Sequence, residues 1–219
     1  HPVAHSFPTR RSSDLSITGS DWFHSFEELG FPQVHVGVYA SSEVSRIHVS
    51  ADHYQNARKF AHAIESRKTG RALVVLEPRL ESILLRQYES LFLRLSHEKG
   101  RATEWMLSFL NQIDAFCSAL ADFNPDLLVL PGADQYKRLQ RELPAPVWER
   151  ILHMPVGFLC LPRDLRHPGG CCGMDEQLEE IGAAGVDQMG NLIASRHIHA
   201  DPPAIRLLIE GKWVEVPGF

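Results

Sequence analysis

"RIHVSADHYQNARKFAHAIESRKTGRALVVLEP", residues 46–78, carries the strand–helix–strand order on which the fold reading rests. Ile47, Val49 and Ala51 alternate with polar residues, the period of a strand with one buried face, and the pattern stops at Asp52. Tyr54, Ala57, Ala61 and Ile64 then share one helical face, and Gly70 sits where a C-terminal stop belongs. Ala72–Leu76 is a continuous apolar run closed by Pro78, as in a strand buried on both faces of a parallel sheet.

The same alternation continues downstream. Leu80, Leu84, Tyr88, Leu91, Phe92 and Leu95 repeat at helical spacing up to Gly100. Trp105, Leu107 and Phe109 mark a strand, and Leu110, Ile113, Cys117 and Leu120 a helix. "PDLLVLPG" (125–132) is an apolar strand between prolines, and Pro144 and Pro146 break the helical stretch from Gln135 to His153. "PVGFLCLPR" (155–163) ends the series. Parallel strands need crossover helices, so this order predicts an α/β fold: a doubly wound, mostly parallel five-stranded sheet with helices on both faces, over residues 46–163. Residues 46–51, 72–76, 126–130 and 156–161 are expected as neighbours in that one sheet.

Residues 164–219 read as a hinge and a C-terminal extension. "RHPGGCCGMD" (166–175) is the Gly/Pro hinge, and "IRLLIEGKWVEV" (205–216) a hairpin turning near Glu210–Gly211. In residues 16–45, "DWFHSFEELG" suggests a short helix and Val34–Tyr39 a strand. "HSFPTRRSSDL" (5–15) has no apolar period, and it resembles a translated sequencing-library adapter. Residues 1–15 are therefore taken as an adapter-derived artefact, and residues 16–45 as a truncated upstream segment of a longer protein.

The chain is 44% hydrophobic and 22% charged with a formal charge of −5, so it can build a core, and its acidic balance argues against a nucleic-acid partner. No apolar run is long enough for a membrane span. Four cysteines are too few for a disulfide scaffold, which points to the cytoplasm.

Three segments resemble the universal stress protein family: residues 46–78, "NPDLLVLPG" (124–132) and "VWERILHMPVGFLCLP" (147–162). The resemblance implies a stress-response or ligand-sensing module that is not an enzyme. It also implies a homodimer or tandem-domain pair formed through the strand near Val156–Leu161. Nucleotide-binding members carry a Gly-x-x-Gly stretch and a Gly-Ser/Thr pair after the fourth strand, where backbone N–H groups close on phosphates. Here Gly132 is present, the second glycine is missing, and Ala145–Pro146 stands at the Gly-Ser position. The implied groove of Val49, Asp52 and Gly132 is thus vestigial, and neither ATP nor AMP is expected as a bound cofactor.

Two further sets remain open at this level. Asp52 ends a strand where α/β folds bind ligands, so it either faces a ribose, or a substrate in an alternative nucleotide-using enzyme, or caps the following helix. Cys171 and Cys172 with His197, His199 and Asp201 offer metal donors, but adjacent cysteines fit tetrahedral geometry poorly, and no metal site is assigned. No spacing assembles a catalytic set.

Overall fold

The computed structural model describes residues 33–37, 47–84, 86–164, 166–195 and 205–215. The adapter-like leader, the helix expected in "DWFHSFEELG", and His197, His199 and Asp201 lie outside the described residues.

Strand β1 (His35–Val36) and strand β2 (Ile47–Ala51) lead into helix α1 (His53–Ser66). Strand β3 (Arg71–Leu76) is followed by α2 (Pro78–Ile83) and α3 (Gln87–His97). These are two helices where one was expected, because Arg86 adopts a left-handed conformation (φ 57°) between them. Then come β4 (Glu104–Phe109), α4 (Ile113–Phe123), β5 (Leu127–Leu130), α5 (Ala133–Glu142), α6 (Ala145–Leu152) and β6 (Val156–Phe158). The chain continues through β7 (Cys171–Asp175), α7 (Leu178–Ala194), β8 (Ile205–Ile209) and β9 (Lys212–Glu215).

The described strands form two sheets. The larger has the order β4-β3-β5-β6-β7-β9, with β9 antiparallel to β7 and every other pairing parallel. Its inner strands β3 and β5 are apolar on both sides because helices cover both faces. Ala72, Val74 and Leu76 meet Phe60 and Ile64 of α1 and Leu91 and Phe92 of α3. Leu73, Val75, Leu128 and Leu130 face Phe116, Leu120 and Leu139 on the opposite side. The doubly wound α/β architecture is as expected, with five parallel strands, but their membership is different.

Residues 47–51 are not in that sheet. β2 pairs in parallel with β1 and β8 in a separate three-stranded sheet, packed by Val49 and Ala51 against Ile181 of α7. The fifth parallel strand is instead β7, inside the segment expected as a hinge. Gly173 looked like a turn residue, yet it marks a close approach: a Cβ there would stand 2.4 Å from the carbonyl oxygen of Phe158 on the adjoining strand. Strand β6 is interior, hydrogen-bonded to β5 and β7, so it presents no free edge for the expected pairing through Val156–Leu161. The chain does turn at Glu210–Gly211, but β8 and β9 pair in different sheets and not with each other.

Among the described residues the chain passes between the sheets three times: β2 to α1 at Asp52, β7 to α7 at Glu176–Gln177, and β8 to β9 at Glu210–Gly211. These crossings are tied together. The Asp52 amide donates to the Ile209 carbonyl (2.8 Å), and the Gly211 amide to Asn56 Oδ1 (2.7 Å). A Cβ on Gly211 would stand 2.7 Å from the Asp175 carbonyl oxygen and 3.0 Å from the Asn56 amide. Gly211→Ala is therefore expected to destabilise the protein by about 1–3 kcal/mol through overpacking, seen as a lower urea midpoint with an unchanged slope.

Candidate functional site

The crossings bring polar side chains to the C-terminal ends of the parallel strands, the place where open α/β sheets bind ligands. His53 opens α1, and its Nδ1 lies 3.2 Å from Glu176 Oε1 at the second crossing and 3.1 Å from the Tyr88 hydroxyl on α3. A carboxylate faces Nδ1, so that nitrogen carries the hydrogen. The second carboxylate oxygen of Glu176 accepts from the Cys160 thiol (2.9 Å), just beyond β6. His53 is almost fully buried, and its Nε2 has no hydrogen-bond partner among the described residues.

Asn56, one turn further along α1, is in the same state. Its Oδ1 holds the Gly211 amide, while its buried Nδ2 has no partner. Residues three apart are neighbours on one helix face. The face of α1 nearest the crossings therefore offers an acceptor, His53 Nε2, beside a donor, Asn56 Nδ2.

The electrostatics of the cluster are acidic. Burial opposes the charge on Glu176, but hydrogen bonds from His53 and Cys160 outweigh it and hold the carboxyl below its ordinary range. Burial, then the charge of Glu176, pushes the Cys160 thiol far up, and Tyr88 is raised well above its usual value by burial, Glu176, Cys160 and Glu81. Cys160 thus stays a neutral thiol whose hydrogen goes to a carboxylate, the opposite of an activated nucleophile. Glu81 on α2 is 2% exposed; one oxygen accepts the Glu89 amide (2.9 Å) and the other has no partner. Burial raises its carboxyl. Beyond β3, Glu77 accepts from Gln135 of α5 (2.6 Å) and lies 4.0 Å from Arg138.

The residues singled out from sequence are dispersed. Asp52 caps α1, accepting the Gln55 amide (3.0 Å), so the capping alternative describes it. Val49 is fully buried between the small sheet and α7 and cannot touch a ligand. Gly132 precedes α5 at the end of β5, in the other sheet. Arg138 is shared between Glu77 and Glu142. Cys171 and Cys172 point to opposite faces of the large sheet, into different cores, and cannot chelate one ion. Among the described residues no group of metal-donor side chains converges, and no helix is long and apolar enough to cross a membrane. Sequence reading missed His53, Asn56, Tyr88, Cys160 and Glu176; polar residues inside otherwise apolar helix faces were the signal for the first two.

Glu176 ionises more readily in the fold than in the unfolded chain. Its contribution to stability is therefore present above the ordinary carboxyl range and lost as pH falls through its lower folded value. Glu176→Gln should remove that part of the acid-side loss and lower stability at pH 7 by about 1–3 kcal/mol, the worth of a hydrogen bond to a charged group. Urea titrations from pH 3 to pH 7 report both effects.

No family model and no curated protein matches the chain. Solved structures do. A sugar transporter from Clostridium phytofermentans superposes with a TM-score of 0.58 at 13% identity, covering 90% of this chain and 72% of that one. A solute-binding protein of an ABC transporter from Agrobacterium vitis, with bound allitol, gives 0.55 at 13% identity over 89% and 70%. A periplasmic binding protein/LacI transcriptional regulator from Alkaliphilus metalliredigens QYMF, complexed with D-xylulofuranose, gives 0.54 at 14% identity over 84% and 70%. At these identities the likeness is one of fold. It overturns the universal-stress reading with its vestigial nucleotide groove, and the alternative of a nucleotide-using enzyme around Asp52 gains nothing from it. The architecture is the α/β fold of these sugar-associated and regulator-like proteins.

Proposed function

We propose that the chain is a binding module, without catalytic activity, for a small polyhydroxylated ligand held at the crossings between the two sheets. The observation that carries this reading is the pair of buried, unpartnered atoms His53 Nε2 and Asn56 Nδ2. Buried polar groups are nearly always hydrogen-bonded, and an open acceptor beside an open donor matches a hydroxyl group, which both donates and accepts. His53 and Asn56 are held on their other atoms by Glu176, Tyr88 and Gly211, so the open atoms are preorganised. Two of the similar structures hold D-xylulofuranose and allitol, which supports the same ligand class. The four unpaired cysteines suit a reducing compartment, and we place the module in the cytoplasm on that ground.

Calorimetry with D-xylulose, allitol and related neutral pentoses, hexoses and alditols tests the proposal. At least one should bind and, at a hundredfold excess over its Kd, stabilise the fold by about 2.7 kcal/mol. His53→Ala should weaken that binding about tenfold or more, the loss of one buried hydrogen bond. A complete absence of binding at millimolar concentration would refute it.

A further inference from the structure

Parallel neighbours in a sheet need a connection of about a dozen residues or more, and a helix usually supplies it. In the large sheet helices join β3 to β4, β4 to β5 and β5 to β6. Strands β6 and β7 are joined instead by residues 159–170, which hold no helix among the described residues. Arg163, Asp164, Arg166 and Pro168 of this connection are exposed, yet His167 between them is buried, at 7% exposure. Its ring ties two other elements together. Nε2 lies 2.8 Å from the Met154 carbonyl oxygen, just beyond α6, and Nδ1 lies 3.0 Å from the Tyr136 hydroxyl on α5. The two rings meet edge to face with centroids 5.6 Å apart. The backbone follows the ring: a Cβ on Gly169 would stand 2.3 Å from the same Met154 oxygen, and the Gly170 amide donates to the His167 carbonyl (3.0 Å).

This arrangement is complete for a neutral imidazole. A carbonyl oxygen can only accept, so Nε2 carries the hydrogen and Nδ1 accepts from the Tyr136 hydroxyl. A second proton, on Nδ1, would set hydrogen against hydrogen and force the hydroxyl to turn. It would also put a positive charge where no carboxylate is among the ring's partners. The titratable groups packed there are Tyr136 from α5 and Cys171 from β7, both raised by burial and so neutral. The end of α6 brings the carbonyls of Met154 and Ile151, and Arg166, next in the chain, is itself a cation.

We propose that His167 is an acid-sensitive latch: the neutral ring pins residues 162–169 to α5 and α6, and a second proton frees them. The exposed Arg163–Glu179 ion pair (2.9 Å) adds little to this hold. Burial holds the His167 pKa below its ordinary value of 6.5, against the raising effect of the Met154 and Ile151 carbonyls. The hold is therefore complete above that ordinary value and is lost as pH falls through the lower folded one.

Amide hydrogen exchange on the whole chain from pH 5 to pH 7.5, corrected for the intrinsic pH dependence, tests the latch. Protection of residues 162–169 should fall about threefold or more at the acid end, while β3 and β5 keep theirs. The ring nitrogen resonances of His167 should show the Nε2–H tautomer at pH 7.5 and titrate with the same midpoint as the exchange. His167→Gln keeps a donor and an acceptor but cannot take the proton, so its segment should lose the pH dependence, with folding checked by urea denaturation. Tyr136→Phe removes the partner of Nδ1 and should move the release to higher pH. Equal protection at both ends of the range, a loss shared by β3 and β5, or a loss that persists in His167→Gln overturns the proposal. So does a ring that takes its proton while the segment stays protected.

Discussion

Gly211 is the point on which the rest of the structure depends. Its amide is held by Asn56 of the first crossing, and its missing side chain leaves room for the Asp175 carbonyl of the second. Three segments far apart in sequence thus meet around one glycine. Their positions fix where His53, Glu176 and Glu210 stand, because each of these residues lies within three positions of a contact atom. Lys59 adds an exposed ion pair to Glu210, but such a pair contributes little. The buried amide–amide bond and the absence of a Cβ do the positioning.

From that point outward the site is a set of side chains satisfied on one side and open on the other. His53 directs Nδ1 at Glu176 and Tyr88, and Asn56 directs Oδ1 at the Gly211 amide. Burying a polar atom without a partner costs free energy, and His53 Nε2 and Asn56 Nδ2 carry that cost at the first crossing. The raised thiol of Cys160 fits this division. Its hydrogen goes to the Glu176 carboxylate, which in turn meets His53 Nδ1.

Much of the architecture was readable one segment at a time. The unbroken apolar runs of β3 and β5 signalled strands covered on both faces, and α1 declared its buried face through Ala57, Ala61 and Ile64. The alternation in residues 47–51 was also correctly a strand, and its polar half was a sign that it lay outside the doubly covered sheet. Strand β7 (Cys171–Asp175) was hidden by Gly173, because a glycine needed for close approach to Phe158 looks, in sequence, like one needed for a turn. The site itself was nearly invisible. His53, Asn56, Tyr88, Cys160 and Glu176 follow no common spacing, and no local pattern announces residues gathered from separate segments.

While α7 (Leu178–Ala194) went unread in the segment taken as a hinge and extension, the sequence by itself determined the helices that follow β2, β4 and β5, most of the strands, the α/β class and the capping role open to Asp52. These depend on interactions within a few residues: side-chain period, turn chemistry and a cap reaching three positions ahead. Only the tertiary structure decided which strands share a sheet, that β8 and β9 part company at Gly211, and that the polar cluster exists at all. Strand pairing and side-chain convergence are long-range choices, made where chain segments more than a hundred residues apart, such as Asn56 and Gly211, come into contact.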